Sequence, residues 1–177
     1  MVAFFENIIN FLEQEYIPYM LTGSMAMSVY VVGRSTQDFD FVVQLSTNDV
    51  SKIVEHFKKG YYCNEESIND AIKRKSRFNI IEHATSFKAD FILLGSKEFQ
   101  QLQFSRRIKV DLMGIHASVI SAEDLILSKL IWIQQSESGR QMEDIKAVSK
   151  YPDIDWVYIH HWIAKLDLRT FNLFKND

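Results

Sequence analysis

The sequence predicts a mixed α/β fold: a mixed sheet flanked by helices, with a C-terminal helical extension. Three observations predict it. Segments such as Asp38-Phe39-Asp40-Phe41-Val42-Val43-Gln44-Leu45 alternate residue by residue and are rich in β-branched and aromatic side chains, the pattern of strands. Other segments, at residues 2–15 and after residue 121, space their apolar residues as helices do. The chain has 177 residues, 47% of them hydrophobic, enough to bury one good core. These features suggest an α/β core over residues 1–120 and a helical subdomain over 121–177 packed on it.

In order along the chain, Phe4, Phe5, Ile8, Ile9, Phe11 and Leu12 mark a first helix that ends before Pro18. Tyr19 to Leu21 start the sheet. Ser24 to Val32 lacks glycine and proline and predicts about two helical turns, with Ser24 at or near the N-cap and Gly33 as the stop. After the Asp38 strand, Thr47 to Lys59 predicts a helix with Val50, Ile53, Val54 and Phe57 inward and Gly60 ending it. A polar stretch follows. Phe78 to Ala84 and Phe87 to Leu94 predict a hairpin, and Arg107 to Met113 and Ile115 to Ile120 two further strands. Ser121 caps a long amphipathic helix whose first turn carries Glu123 and Asp124, and helices near 141–150 and 155–166 flank Pro152.

The chemistry concentrates in Leu21-Thr22-Gly23-Ser24 and Arg34-Ser35-Thr36-Gln37-Asp38-Phe39-Asp40-Phe41. On a strand, Asp38 and Asp40 share one face, and Phe39 and Phe41 share the other. Two carboxylates held side by side repel unless a cation lies between them, and a divalent metal ion serves that purpose. Gly23 lets a phosphate approach the backbone closely, and the helix start after it offers free N–H groups. Together these would bracket a nucleoside triphosphate. The competing reading is a solvated strand face, with Arg34 pairing with Asp38 or Asp40 only to order the loop.

These residues resemble the hallmark of the nucleotidyltransferase superfamily of polymerase-beta-like and minimal nucleotidyltransferases: a hydrophobic residue, Gly and Gly or Ser, followed by D-h-[DE]-h, with h hydrophobic. Arg34-Ser35-Thr36-Gln37-Asp38, together with Ser121-Ala122-Glu123-Asp124-Leu125-Ile126-Leu127-Ser128-Lys129-Leu130, is most similar to the group related to AbiEii-type abortive-infection toxins. The resemblance runs from about Tyr16 to about Lys150. It implies transfer of a nucleoside monophosphate from an NTP, with Mg²⁺ or Mn²⁺, to an RNA, protein or small-molecule hydroxyl. It implies Asp38, Asp40 and a third carboxylate as catalytic and metal-binding groups. Asp90, in the apolar strand Phe87 to Leu94, is the first candidate for the third, and Asp111 is the second. Gly23, Ser24, Arg34, Thr36 and Lys129 are the implied nucleotide-binding residues. Two metal ions would activate the acceptor hydroxyl and stabilise departing pyrophosphate, with Asp90 as proton acceptor. Asp144 matches a later acid of the group, but Gln141 stands where that group often has an acid, which favours a second reading: an inactive nucleotide- or protein-binding module. A toxin–antitoxin role, with a cognate antitoxin as partner, also belongs to the resemblance.

The remaining composition decides less. A net charge of −3 gives no general steering toward nucleic acid, although Lys73, Arg74, Lys75 and Arg77 form one basic cluster and Arg106, Arg107 and Lys109 another. One cysteine, Cys63, excludes an intrachain disulfide and fits a reducing cytoplasm. No apolar run approaches the roughly 20 residues of a membrane span, and Met1 to Asn7 lacks the basic region of a signal peptide. A soluble, cytoplasmic protein without a membrane partner is expected. The five histidines form no metal motif. Trp132, Trp156 and Trp162 are available either for core burial or for the apolar patch of a homodimer.

Overall fold

The computed structural model describes residues 1–32 and 36–174. Helix α1 (Val2–Gln14) buries the six apolar residues that its spacing predicts. Strand β1 (Tyr19–Thr22) leads directly into helix α2 (Gly23–Met27), and β2 (Asp38–Val43) follows. A 3₁₀ turn (Thr47–Asp49) and α3 (Val50–His56) replace the single helix expected over Thr47 to Lys59. Ser46 and Asp49 form a capping box that tightens that first turn. Then come β3 (Tyr61–Cys63), α4 (Glu65–Arg74), β4 (Arg77–Glu82), β5 (Lys88–Leu93) and α5 (Glu98–Ser105). The chain continues with β6 (Ile108–Leu112), β7 (Ile115–Val119), α6 (Ala122–Ile133), α7 (Gly139–Val148) and α8 (Trp156–Lys165).

The seven strands form one mixed sheet in the order β3-β4-β5-β2-β1-β7-β6. β1 runs antiparallel to β2 and parallel to β7, while β2 runs parallel to β5. The predicted hairpin is present as β4–β5, and the two further strands expected after it pair with each other as β6–β7. Met113 and Gly114 take φ values of +57° and +80° between β6 and β7, the backbone of a tight hairpin turn.

One face of the sheet is aromatic. Phe39 and Phe41 are fully buried; Phe5 stacks on Phe39 at 5.3 Å, and Phe91 stacks on Phe41 at 5.5 Å and on Phe78 at 5.0 Å. Each buried ring contributes about 1.5–3 kcal/mol through removal of apolar surface from water. This packing fixes the register of β2, because a slip of one residue would exchange the phenylalanines for the aspartates. The opposite face of β2 therefore has to present Asp38, Asp40 and Val42.

The region after β1 departs from expectation. Helix α2 starts at Gly23 with Thr22 as its N-cap, not at Ser24, and spans five residues, ending at Met27. Gly23 has φ +68°, a left-handed backbone that glycine adopts without steric cost, and there the chain turns out of the strand. Ser28 Oγ donates to the Met25 carbonyl at 2.7 Å, and the chain continues as turns. Two helices, α4 and α5, lie in stretches for which no helix was expected. Helix α4 has an Asn64 cap accepting from Ser67 N at 2.8 Å, acids in its first turn and Lys73 and Arg74 in its last. No helix among the described residues is long and apolar enough to cross a membrane.

Candidate functional site

Strand β5 lies beside β2 in parallel register, pairing Asp38 with Lys88 and Asp40 with Asp90. Adjacent strands are separated by about 4.8 Å, so the Asp40 and Asp90 side chains rise side by side from the same face. Asp38 stands two residues along that face, diagonal to Asp90. The sequence leaves Asp90 and Asp111 open as the third carboxylate, and the topology separates them. Asp111 is on edge strand β6, three strands from β2, where it accepts from Gly114 N at 2.8 Å and lies 3.7 Å from His116 Nδ1.

The cost of gathering these acids is visible at Asp40. Burial, then the charges of Asp90 and Asp38, push its carboxyl above the usual carboxylate range, while Lys88 and Lys129 pull in the opposite direction. Lys88 Nζ lies 2.9 Å from Asp90 Oδ2 and 3.7 Å from Asp38 Oδ1, and its own pKa is raised, chiefly by the hydrogen bond to Asp90. Among the described residues, no ion pair reaches Asp40.

Gly23 closes the other side of Asp40. A Cβ at Gly23 would lie 2.0 Å from Asp40 Oδ2 and 2.8 Å from its Cγ. The tight turn thus serves two purposes: it starts α2 and leaves room for the carboxylate. Ser24 follows in the first turn of α2. Thr36 Oγ1 accepts from Asp38 N at 3.3 Å, which ties the loop to the start of β2. Arg34, the other expected nucleotide-binding residue, lies outside the described residues.

Lys129 extends from α6 toward the same region but is deeply enclosed. It is 5% exposed, and its Nζ donates to Asp144 Oδ2 and to Gln141 Oε1, each at 2.8 Å. Gln141 therefore occupies the position of a neutral acceptor beside a buried ion pair. Asp124, expected simply as a first-turn acid, is fully buried. It receives Ser121 Oγ at 2.9 Å, Arg106 Nε at 3.2 Å and Tyr158 OH at 2.6 Å. That network ties α6 to the α5–β6 connection and to α8, and it commits Arg106 of the second basic cluster to a structural partner.

A cavity of about 470 Å³ opens beside Asp40. Met20, Val42 and Ile92 belong to its sheet side, Lys129 and Trp132 to its α6 side, and Arg77, Gln100 and Gln103 also line it. Trp132 is 51% exposed at this site, whereas Trp162 is buried in the core. Lys88 and the two glutamines are functional candidates that sequence reading missed, and Arg77 stood there only as one member of a basic cluster. For Lys88 the signal was its position two residues before Asp90, hence on the same strand face.

The donor set suits a hard divalent cation, since carboxylate oxygens are the ligands such ions take. Asp38, Asp40 and Asp90 stand as an open row, and the repulsion at Asp40 is of the kind a cation would relieve. Among the described residues, no group of three or more His, Cys, Asp or Glu side chains is drawn close enough to enclose a metal ion.

No protein-family model and no curated protein sequence matches the chain. Solved structures do. The chain is similar to ANT(2'')-Ia, an antibiotic-resistance factor, with a TM-score of 0.58 at 10% identity over 94% of this chain and 92% of that one. It is similar to an antigenic nucleotidyltransferase-like protein from Paracoccidioides brasiliensis, with a TM-score of 0.56 at 14% identity over 90% and 83% of the two chains. It is also similar to the lincosamide antibiotic adenylyltransferase LnuA, solved with lincomycin bound, with a TM-score of 0.52 at 15% identity over 81% and 92%. The grouping with AbiEii-type toxins finds no counterpart among these three structures. What this chain shares with them is the fold, a mixed α/β sheet flanked by helices of nucleotidyltransferase type.

Proposed function

We propose that the chain is a divalent-metal-dependent nucleotidyltransferase that moves a nucleoside monophosphate from an NTP to a hydroxyl group. The observation that carries this reading is the pairing of Asp40 with Asp90 on adjacent parallel strands, with Asp38 on the same face and Gly23 against Asp40. In the reaction the acceptor oxygen bonds to the α-phosphorus, the bond from that phosphorus to the bridging oxygen breaks, and pyrophosphate leaves. Asp90 takes the hydroxyl proton. Asp38, Asp40 and Asp90 would hold Mg²⁺ or Mn²⁺, which would supply charge neutralisation for the phosphates and lower the pKa of the acceptor hydroxyl. Gly23 and Ser24 hold the triphosphate together with Arg34 and Thr36, and Lys129 acts as a fixed positive charge shared with Asp144. Residues 1–120 then form the catalytic core, and 121–177 a helical subdomain that supplies one side of the cavity.

A cavity of about 470 Å³ suits a compact hydroxylated acceptor, and the names of ANT(2'')-Ia and LnuA associate two proteins of this fold with antibiotics. An RNA or protein acceptor, a toxin–antitoxin role with a cognate antitoxin, a homodimer and a cytoplasmic location rest on the sequence alone. One observation favours the second reading, a non-catalytic nucleotide- or protein-binding module: Gln141, placed where the resembled group often has an acid, is bonded to Lys129.

The test is release of pyrophosphate from ATP, GTP, CTP and UTP with Mg²⁺ or Mn²⁺ across small-molecule, RNA and protein acceptors. Turnover that disappears in Asp40→Asn supports the transferase. Metal-dependent nucleotide binding with no turnover on any acceptor favours the module.

A further inference from the structure

We infer that Lys88 is a resident counter-cation of the carboxylate row, which yields its place to a divalent metal ion and then binds the polyphosphate of the incoming nucleotide. This rests on the nucleotidyl-transfer reading. Lys88 is the strand partner of Asp38 and lies two residues before Asp90, so backbone geometry alone puts it on the face that carries all three acids. Its ammonium bridges Asp90 at 2.9 Å and Asp38 at 3.7 Å. Among the described residues, no other cationic side chain lies within ion-pair distance of Asp38, Asp40 or Asp90.

Ammonium and metal exclude each other here for a simple reason. A divalent ion approaches carboxylate oxygens to about 2.0–2.6 Å, and the oxygens it needs include those to which Lys88 is bonded. Both occupancies together would set a single and a double positive charge within a few ångströms. The lysine has somewhere to go. Its side chain is one-third exposed (33%) on a flexible four-carbon stem, and its ammonium has three donors suited to phosphate oxygens. Displaced from the acids, it remains on the face where Gly23 adjoins Asp40, the face the triphosphate has to approach. The exchange couples the two ligands: metal alone binds against a competitor, whereas metal with polyphosphate gives that competitor a new partner.

The experiment is titration of the protein with Mn²⁺, alone and with inorganic tripolyphosphate, following free Mn²⁺ by electron paramagnetic resonance. Native protein is compared with Lys88→Met, Lys88→Arg and Asp40→Asn, with thermal melts to verify folding. Lys88→Met should bind Mn²⁺ alone about fivefold more tightly and the Mn²⁺–tripolyphosphate complex about fivefold more weakly, the scale of a partly exposed ion pair. Lys88→Arg, which keeps the charge, should follow the native protein in both titrations. Opposite shifts cannot come from a packing defect, which would weaken both. Asp40-dependent Mn²⁺ binding that is indifferent to Lys88→Met, or a change in only one titration, overturns the exchange and leaves the metal site standing. Absence of Asp40-dependent Mn²⁺ binding in every variant overturns the metal site and the exchange together.

Discussion

Gly23→Ala separates two roles that one residue performs. Gly23 sits at φ +68°, where an L side chain costs about 1–2 kcal/mol. Alanine also stiffens the unfolded chain, which offsets about 0.4–1 kcal/mol of that. The net loss of stability from the backbone is therefore about 1 kcal/mol, or roughly 2–4 °C in Tm for a chain of this size. Gly60 supplies the control, since it has φ +84° with nothing within 4 Å of a built Cβ. Gly60→Ala should show the backbone loss and nothing more. At Gly23 the new methyl group would stand 2.0 Å from Asp40 Oδ2, so that oxygen must withdraw by at least about 1 Å. Displacing a ligand through its immediate neighbour typically costs about 10–100-fold in metal affinity. Thermal melts and Mn²⁺ titrations on both variants check the two effects separately. If Gly23→Ala binds Mn²⁺ as Gly60→Ala does, Gly23 is a turn residue only and the coupling to Asp40 is wrong.

Other perturbations follow from the same geometry. Asp40 has its pKa raised by burial and by Asp90 and Asp38, so the folded state holds its proton more firmly than the unfolded state. Its charge consequently opposes folding, and stability falls as pH rises through the unfolded and then the raised folded pKa. Asp40→Asn should raise Tm at pH 7–8 without divalent metal, with the gain shrinking as pH falls into the carboxylate range, as thermal melts against pH would reveal. Breaking the buried Lys129–Asp144 pair with Asp144→Ala should cost about 3–5 kcal/mol, whereas Lys129→Met with Asp144→Leu should recover most of it. Chemical denaturation of the native protein and the two variants measures this.

Much of the fold was legible because its signals are local. The alternation in Asp38-Phe39-Asp40-Phe41 announces a strand with an aromatic side and an acidic side, and the phenylalanine stack is what fixes that strand in register. Ser121 as the cap of α6 was legible for the same reason, its hydroxyl accepting from Asp124 N at 3.2 Å. Helix α4 carried cap, acids and last-turn bases in sequence, but only Ile68 and Ala71 are buried along it, and so sparse an apolar face reads as a polar stretch. The start of α2 was misplaced by one residue because a glycine at positive φ can begin a helix where a side-chain cap was sought.

What sequence could not deliver is pairing at a distance. Placing Asp90, and not Asp111, next to Asp40 required knowing that β5, and not β6, lies beside β2. Lys88 was invisible as a partner of Asp38 because 50 residues separate the two, and only the strand register brings them opposite. Asp124 reads in sequence as an acid of a helix's first turn and nothing more; its burial depends on Arg106 and Tyr158, which arrive from elements 18 and 34 residues away.

On the proposed reading, the Asp38, Asp40 and Asp90 row holds a metal-bound nucleotide. Calorimetric titration of ATP, GTP, CTP and UTP, each with and without Mg²⁺, into native protein and into Asp40→Asn tests it most directly. At least one nucleotide should bind native protein only with Mg²⁺, and this binding should be lost in the variant. Binding that survives in Asp40→Asn, or no binding of any of the four nucleotides to folded native protein, would contradict it.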